Sequence, residues 1–293
     1  MPLLLGSEFD ASAPTYEIRA PERQSMPVVF CSPHSGSGYT PAFLTAVKAD
    51  LVSLRQLEDS FVDELFAAAP KRGAPLLCAL FPRAFIDPNR EPYELDPEMF
   101  DGPLPEHANT TSFRVSGGLG TIARVTTTGA AIYRRKLRVA EAEHRIAAFY
   151  QPFHGALKGL LDTTKRRFGH AVLIDCHSMP SIGGPGDRDQ GRERADIVLG
   201  DRFGTSCAPA LTDAVEATLS GLGYRVVRNV PYAGGFTTQH YGCPDDGVHA
   251  LQIEINRVLY MDQRRLRRHR GMAGTTRCMT ALIEHLAVVE GVA

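Results

Sequence analysis

The feature that most constrains this chain is the alternation of short apolar, β-branched runs with longer amphipathic segments. "PVVFCS" (27–32), "APLLCALF" (74–81), "HAVLIDCH" (170–177), "IVLGD" (197–201), "YRVVRNVPY" (224–232) and "GVHALQIEINR" (247–257) have the length and composition of buried strands. Between them, "LVSLRQLEDSFVDELFAAAPKRG" (51–73) sets Leu54, Leu57, Phe61, Leu65 and Phe66 on a helical stripe closed by Gly73. Further helices are predicted from about Gly129 to Phe168, broken near Pro152, over "APALTDAVEATLSGLG" (208–223), and from about Asp262 to Glu290. Strands alternating with helices of this length predict an α/β chain, a three-layer α/β/α sandwich with a mixed, mostly parallel sheet. Residues 1–26 read as a lead-in segment and 27–293 as a single domain. Residues 86–120, rich in Pro, Gly and acids, read as a long excursion outside the core.

Charge narrows the partners. Lys+Arg (32) and Asp+Glu (33) nearly cancel, so nothing points to nucleic acid or a membrane surface. The longest apolar runs are too short to cross a bilayer, and "MPLLLGSEFDASAP" lacks the basic start and long apolar stretch of a secretory signal. A cytoplasmic location is the expectation. Six cysteines carry no CxxC pair; they read as reduced structural thiols, with no cysteine-based zinc cluster. "GGLGTI" (117–122) lacks the Lys-Ser/Thr ending of a phosphate loop.

In a parallel sheet, ligands bind beyond the carboxyl ends of the strands. His34 and His177 both fall at that end of their strands, and imidazole nitrogens suit zinc or a similar divalent ion. Glu254 stands between apolar neighbours in "LQIEINR", where a buried carboxylate is costly without a partner or a task. Desolvation would raise its pKa and suit it to general-base work; an ion pair with Arg257 is the structural alternative. His240 and His249 stay in reserve as supporting or substrate contacts, and the Gly pair of "PYAGGFTTQ" suits close backbone approach to a ligand. Arg134 and Arg135 read as a solvated helix face, and Tyr133 as a weak substrate contact.

In order along the chain, "SPHSG", "RAFIDPNREP", "SGGLGTIARV", "IYRRKL", "LIDCHSMPS", "LGDRFGTSC", "PYAGGFTTQHYGCP" and "VHALQIEINRVLYMD" resemble the N-formylglutamate amidohydrolase family. The likeness runs from about residue 28 to residue 262. That family is distantly similar to zinc carboxypeptidases and to the aspartoacylase group, which implies a zinc-exopeptidase-like (phosphorylase/hydrolase-like) fold and a metal-activated water.

Carried over by position, the resemblance implies that His34 and His177 are metal ligands. Relatives with a carboxypeptidase-type site take another ligand from a Glu three residues after the first His. Ser37 stands there in this chain, so the ligand must come from elsewhere: Asp59 is expected, with Glu58 as the alternative. Asn89 and Arg90 in "DPNR" resemble a pair that holds a substrate carboxylate, and the planar guanidinium fork suits bidentate carboxylate binding on its own grounds. Arg83 and Arg124 are further candidates for carboxylate binding or for polarising the scissile carbonyl.

These features imply a metal-dependent hydrolase of a linear amide in a small N-acyl amino acid. N-formyl-L-glutamate is the expected substrate, one divalent ion (zinc is expected) the cofactor, and Glu254 the general base. Histidine breakdown is the setting that the resemblance suggests. A carboxypeptidase-like or other N-acyl amino acid deacylase is the alternative within enzymes, and a non-catalytic N-acyl amino acid sensor the alternative outside them. The sequence leaves the oligomeric state open.

Overall fold

The computed structural model describes residues 14–287. Among them, seven strands make one sheet: β1 (Tyr16–Arg19), β2 (Val28–Ser32), β3 (Leu76–Ala79), β4 (Ala171–Met179), β5 (Ile197–Gly200), β6 (Val226–Arg228) and β7 (Val248–Asn256), in the order β1-β3-β2-β4-β7-β5-β6. Strands β3, β2, β4 and β7 run parallel, β5 and β6 run parallel to each other and antiparallel to β7, and β1 is antiparallel to β3. The sheet is therefore mixed and mostly parallel. The chain leaves β2 toward β3 on one side and later enters β4 on the other. The crevice where ligands collect in such sheets thus lies over the carboxyl ends of β2 and β4.

Alternation along the strands builds two apolar layers. Val28, Phe30, Val172, Ile174, Leu251 and Ile253 face helices Pro209–Gly221 and Met272–Leu286. Val29, Cys31, Leu173 and Ala250 face helix Gln151–Phe168, whose Phe153, Leu157 and Leu161 form one buried stripe. Phe153 is fully buried, edge-on to Phe81 at 6.2 Å between ring centroids. Phe153→Ala should therefore lower stability by about 3–5 kcal/mol, read as an earlier urea midpoint; an unchanged midpoint would contradict this packing.

Several elements differ from expectation. Part of the lead-in, Tyr16–Arg19, is an edge strand, while residues 1–13 lie outside the described residues. The helix expected over 51–73 is broken into Leu51–Arg55, Val62–Leu65 and a 3-10 turn at Pro70–Arg72. The break arises where Asp59 N–H donates to His34 O (3.0 Å) and Phe61 takes a left-handed φ of 69°. Residues 129–138 are not helical. The helix starts at Val139, passes through a π-helical turn (Ile146–Tyr150) directly before Pro152, which has no N–H to donate, and continues without a break to Phe168. The last helix begins at Met272, after a small hairpin (Met261–Asp262 with Arg267–Arg268). Residues 86–120 are no bare excursion, because Leu95, Met99 and Phe100 form a small core with Ile122, Leu137 and Ala142. Cys31, Cys78, Cys176 and Cys207 are buried free thiols. No helix among the described residues is long and apolar enough to cross a membrane.

Candidate metal and catalytic centre

The site grows out of strand alternation. In β4, the face that carries Ala171 and Leu173 in the core continues as Asp175 and His177; in β7, Ala250 continues as Gln252 and Glu254. The two strands pair in parallel register, Asp175 with Gln252 and His177 with Glu254. Strand β2 stops at Ser32, and its last residue in register with β4, Cys31, stands opposite Asp175. His177 and Glu254 thus project from an overhang, and the loop after β2 brings His34 against His177. The two imidazole centroids are 4.8 Å apart.

Asp59 completes the group. One donor atom from each of His34, Asp59 and His177 lies within 4.8 Å of the others, and all three residues are buried. Asp59 Oδ2 is 2.9 Å from His177 Nδ1 and 3.3 Å from His34 Nδ1. The opposite ring nitrogens face acids: His34 Nε2 lies 2.7 Å from Asp87 Oδ1 and His177 Nε2 lies 3.0 Å from Asp175 Oδ1. An acid behind each ring, with both Nδ1 atoms turned to Asp59 Oδ2, is an arrangement that orients metal-binding imidazoles; Asn89 Nδ2 also lies 3.0 Å from His177 Nε2. Two imidazoles and one carboxylate suit zinc or a similar borderline ion. The residues present therefore fit a divalent cation. Glu58 is turned away, accepting from Ser60 Oγ (2.8 Å) and lying 3.3 Å from Arg55 Nε.

Charged groups crowd the site. Asp59, Asp87, Asp175 and Glu254 are four buried carboxylates. The guanidiniums in contact with them belong to Arg83 and Arg90, at Asp87, and to Arg257, at Asp59. Burial works against the His177 imidazolium, yet Asp175 and Asp59 outweigh it and lift its pKa well above the usual value. Burial likewise disfavours the Asp59 and Asp87 carboxylates. The imidazoles at Asp59, and Arg83 with His34 at Asp87, nevertheless hold both well below the usual range.

Glu254 behaves differently. Burial, aided by repulsion from Asp59, pushes its pKa up to about 7 against the pull of His177, Arg83 and Arg257. Gln252 Nε2 donates to Glu254 Oε1 at 3.0 Å, and Gly235 N–H fixes that amide by donating to Gln252 Oε1 at 2.7 Å. Arg257 is committed to Asp59 and Ser178, so it is not the dedicated ion-pair partner of Glu254.

The remaining candidates divide. Asn89 is buried and engaged within the protein: its Oδ1 accepts from Thr237 N–H (2.8 Å), which turns Nδ2 toward Asp175 Oδ2 (3.4 Å) and the His177 ring. A Cβ at Gly235 would lie 2.4 Å from that amide, so this glycine of the pair serves the approach to Asn89. Arg90 donates to the carbonyls of Leu119 (3.1 Å) and Asn89 (2.9 Å) and stands 3.8 Å from Asp87 Oδ2. Burial, only partly offset by Asp87, lowers its pKa to about 10, the mark of a guanidinium short of negative charge. Arg83 binds Asp87 Oδ2 at 2.6 Å and feels the charges of Asp59 and Glu254. Arg124 is engaged elsewhere, 2.6 Å from Asp96 Oδ2 and 3.7 Å from Glu98. His249 is near the start of β7, where its Nδ1 accepts from Ala208 N–H, and His240 stacks on Phe236. Tyr133 OH accepts from Arg145, and Arg134 and Arg135 donate to Thr45 O and Glu141.

Reasoning from sequence missed Asp87, Asp175, Gln252 and Ser178. The available signal was an acid two residues before a proposed ligand on the same strand face, as in "DCH".

Comparison with known proteins places the chain in a family. Residues 26–261 match the family model described as N-formylglutamate amidohydrolase. An N-formylglutamate deformylase of Pseudomonas aeruginosa is 33% identical over 253 residues, 84% of this chain and 86% of that protein. One from Pseudomonas putida is 28% identical over 241 residues, covering 81% and 83%. The crystal structure of N-formylglutamate amidohydrolase from Ralstonia eutropha JMP134 matches with a TM-score of 0.86 at 38% identity, over 93% of this chain and 97% of that one. The chain belongs to the N-formylglutamate amidohydrolase family, a family of linear-amide hydrolases.

Proposed function

We propose that this protein is a metal-dependent amidohydrolase that cleaves N-formyl-L-glutamate, with water, to formate and L-glutamate. The observation that carries the reading is Glu254, a buried carboxylate with a raised pKa, in register beside His177 in the His34–Asp59–His177 cage. The cage would hold a divalent ion through the two Nδ1 atoms and Asp59 Oδ2. When bound there, the ion supplies a Lewis acid for the amide carbonyl and lowers the pKa of water toward neutrality.

The chain's own residues do the rest. Glu254 takes a proton from the attacking water and returns it to the leaving nitrogen as the C–N bond breaks, so one carboxylate serves as base and then acid. Its pKa near neutrality suits both halves. Gln252 fixes the direction of one Glu254 oxygen. Arg90, nearly buried and with Asp87 Oδ2 no nearer than 3.8 Å, binds a substrate carboxylate, and Arg83 provides positive charge toward the reacting carbonyl. Asn89 acts indirectly, by holding the Asp87–Arg90 turn against His177 and Asp175.

The test is formate release from N-formyl-L-glutamate, measured before and after verified metal removal and across a panel of N-acyl amino acids. Full turnover by metal-free protein, or binding of every panel member with no cleavage, would defeat the reading. Arg90→Ala should raise KM roughly 10–100-fold with a smaller change in kcat, because a charge-assisted hydrogen bond to a carboxylate contributes about 1.5–3 kcal/mol. An unchanged KM would remove Arg90 from substrate binding.

A further inference from the structure

We infer that Arg257 is a positioning residue for the metal centre: its guanidinium occupies Asp59 Oδ1, so that only Oδ2 is offered to a cation. This inference rests on the metal reading above. Arg257 lies just past β7, almost two hundred residues from Asp59, and is 7% exposed. All three of its nitrogens donate. Nη2 donates to Asp59 Oδ1 (3.0 Å) and Glu58 O (2.6 Å), Nη1 to Gln56 O (3.2 Å), and Nε to Ser178 Oγ (3.1 Å). Ser178 Oγ in turn donates to Asp59 Oδ1 at 3.3 Å.

One side chain thereby ties the broken segment 56–59 to the overhang of β4. Asp59 stands outside regular helix; its N–H is held by His34 O, and its side chain by Arg257 and Ser178. Two donors saturate Oδ1 while Oδ2 faces both imidazoles. The carboxylate is left as a single-oxygen ligand of reduced charge, and a position beside it stays open for water and substrate. A planar, multi-donor cation bridges the whole of this set; an ammonium reaches only part of it at a time. Partners of this kind, which orient a ligand without touching the metal, typically cost roughly 10–100-fold in metal affinity when lost.

The experiment uses full-length protein stripped of metal and reloaded with Co²⁺ or Zn²⁺. Affinity is measured by competition with a chelating dye, the visible Co²⁺ spectrum reports the ligand set, and circular dichroism checks the fold. Arg257→Gln should bind both ions roughly 10–100-fold more weakly and alter the Co²⁺ bands, because Oδ1 is freed. Arg257→Lys should recover part of the affinity. A residue that merely braced the fold would lower thermal stability without changing the spectrum of the loaded protein. Folded Arg257→Gln with wild-type affinity and spectrum overturns the inference. If that variant does not fold, Arg257→Lys decides by the same criterion. Wild-type protein that takes up neither ion would defeat the metal reading first, whereas wild-type uptake with unchanged variants defeats this inference alone.

Discussion

Glu254→Gln is expected to lower kcat for N-formyl-L-glutamate by roughly 10²–10⁴-fold, the usual contribution of a positioned acid–base group, with little change in KM. Glutamine keeps the shape and the contact with Gln252 but neither accepts nor returns a proton at that atom. The pH profile provides a second readout. Burial raises the Glu254 pKa to about 7 in the metal-free protein, and the base must be ionised to act. The rate kcat/KM should therefore rise with pH through an acidic limb and then level off with respect to this group. A bound cation favours the carboxylate, so the limb of loaded enzyme should fall at or below neutrality. Retention of both turnover and limb in Glu254→Gln would show that the proton goes elsewhere.

Removal of the divalent ion should be as severe. Dialysis against a chelator is expected to lower formate release at least about 10³-fold, since Lewis-acid stabilisation and water activation together are worth several kcal/mol. Added Zn²⁺ should restore it. His177→Ala should produce the same loss without recovery, and its metal content should fall well below one ion per chain. That variant also leaves Asp175 buried without its imidazole, and an unpartnered buried charge is destabilising. Chelation and refilling of wild-type protein therefore separate the chemical effect from the structural one. Loss of activity in His177→Ala with full metal content would argue against His177 as a ligand.

Much of this centre is readable from the chain. His34, His177 and Glu254 stand out because each is a polar side chain at or near the end of an apolar run, where a parallel sheet gathers its ligands. The family likeness adds Asp59 and the Asn89–Arg90 turn as expectations, and the structure brings Asp59, not Glu58, to the two rings. The structure engages Asn89 within the protein, with Thr237 N–H at its oxygen and Asp175 and His177 against its nitrogen. Arg124 carries the same guanidinium as Arg90, but Asp96 claims it. Sequence presents the residue type; only neighbours show whether its hydrogen-bonding capacity is already spent.

By itself, the sequence determined the layered α/β architecture, because burial on both faces of a sheet forces apolar runs that alternate with amphipathic helices whatever the partners are. It also determined which strands end in chemically active side chains. Tertiary structure alone decided the pairing of His177 with Glu254 across β4 and β7, the acids behind each imidazole, and the break that frees Asp59 from a helix. Those choices depend on strand order, register and contacts between residues up to two hundred positions apart. Local propensity carries no trace of them, because the free energy that fixes them comes from satisfying buried charges and hydrogen bonds after the sheet has formed.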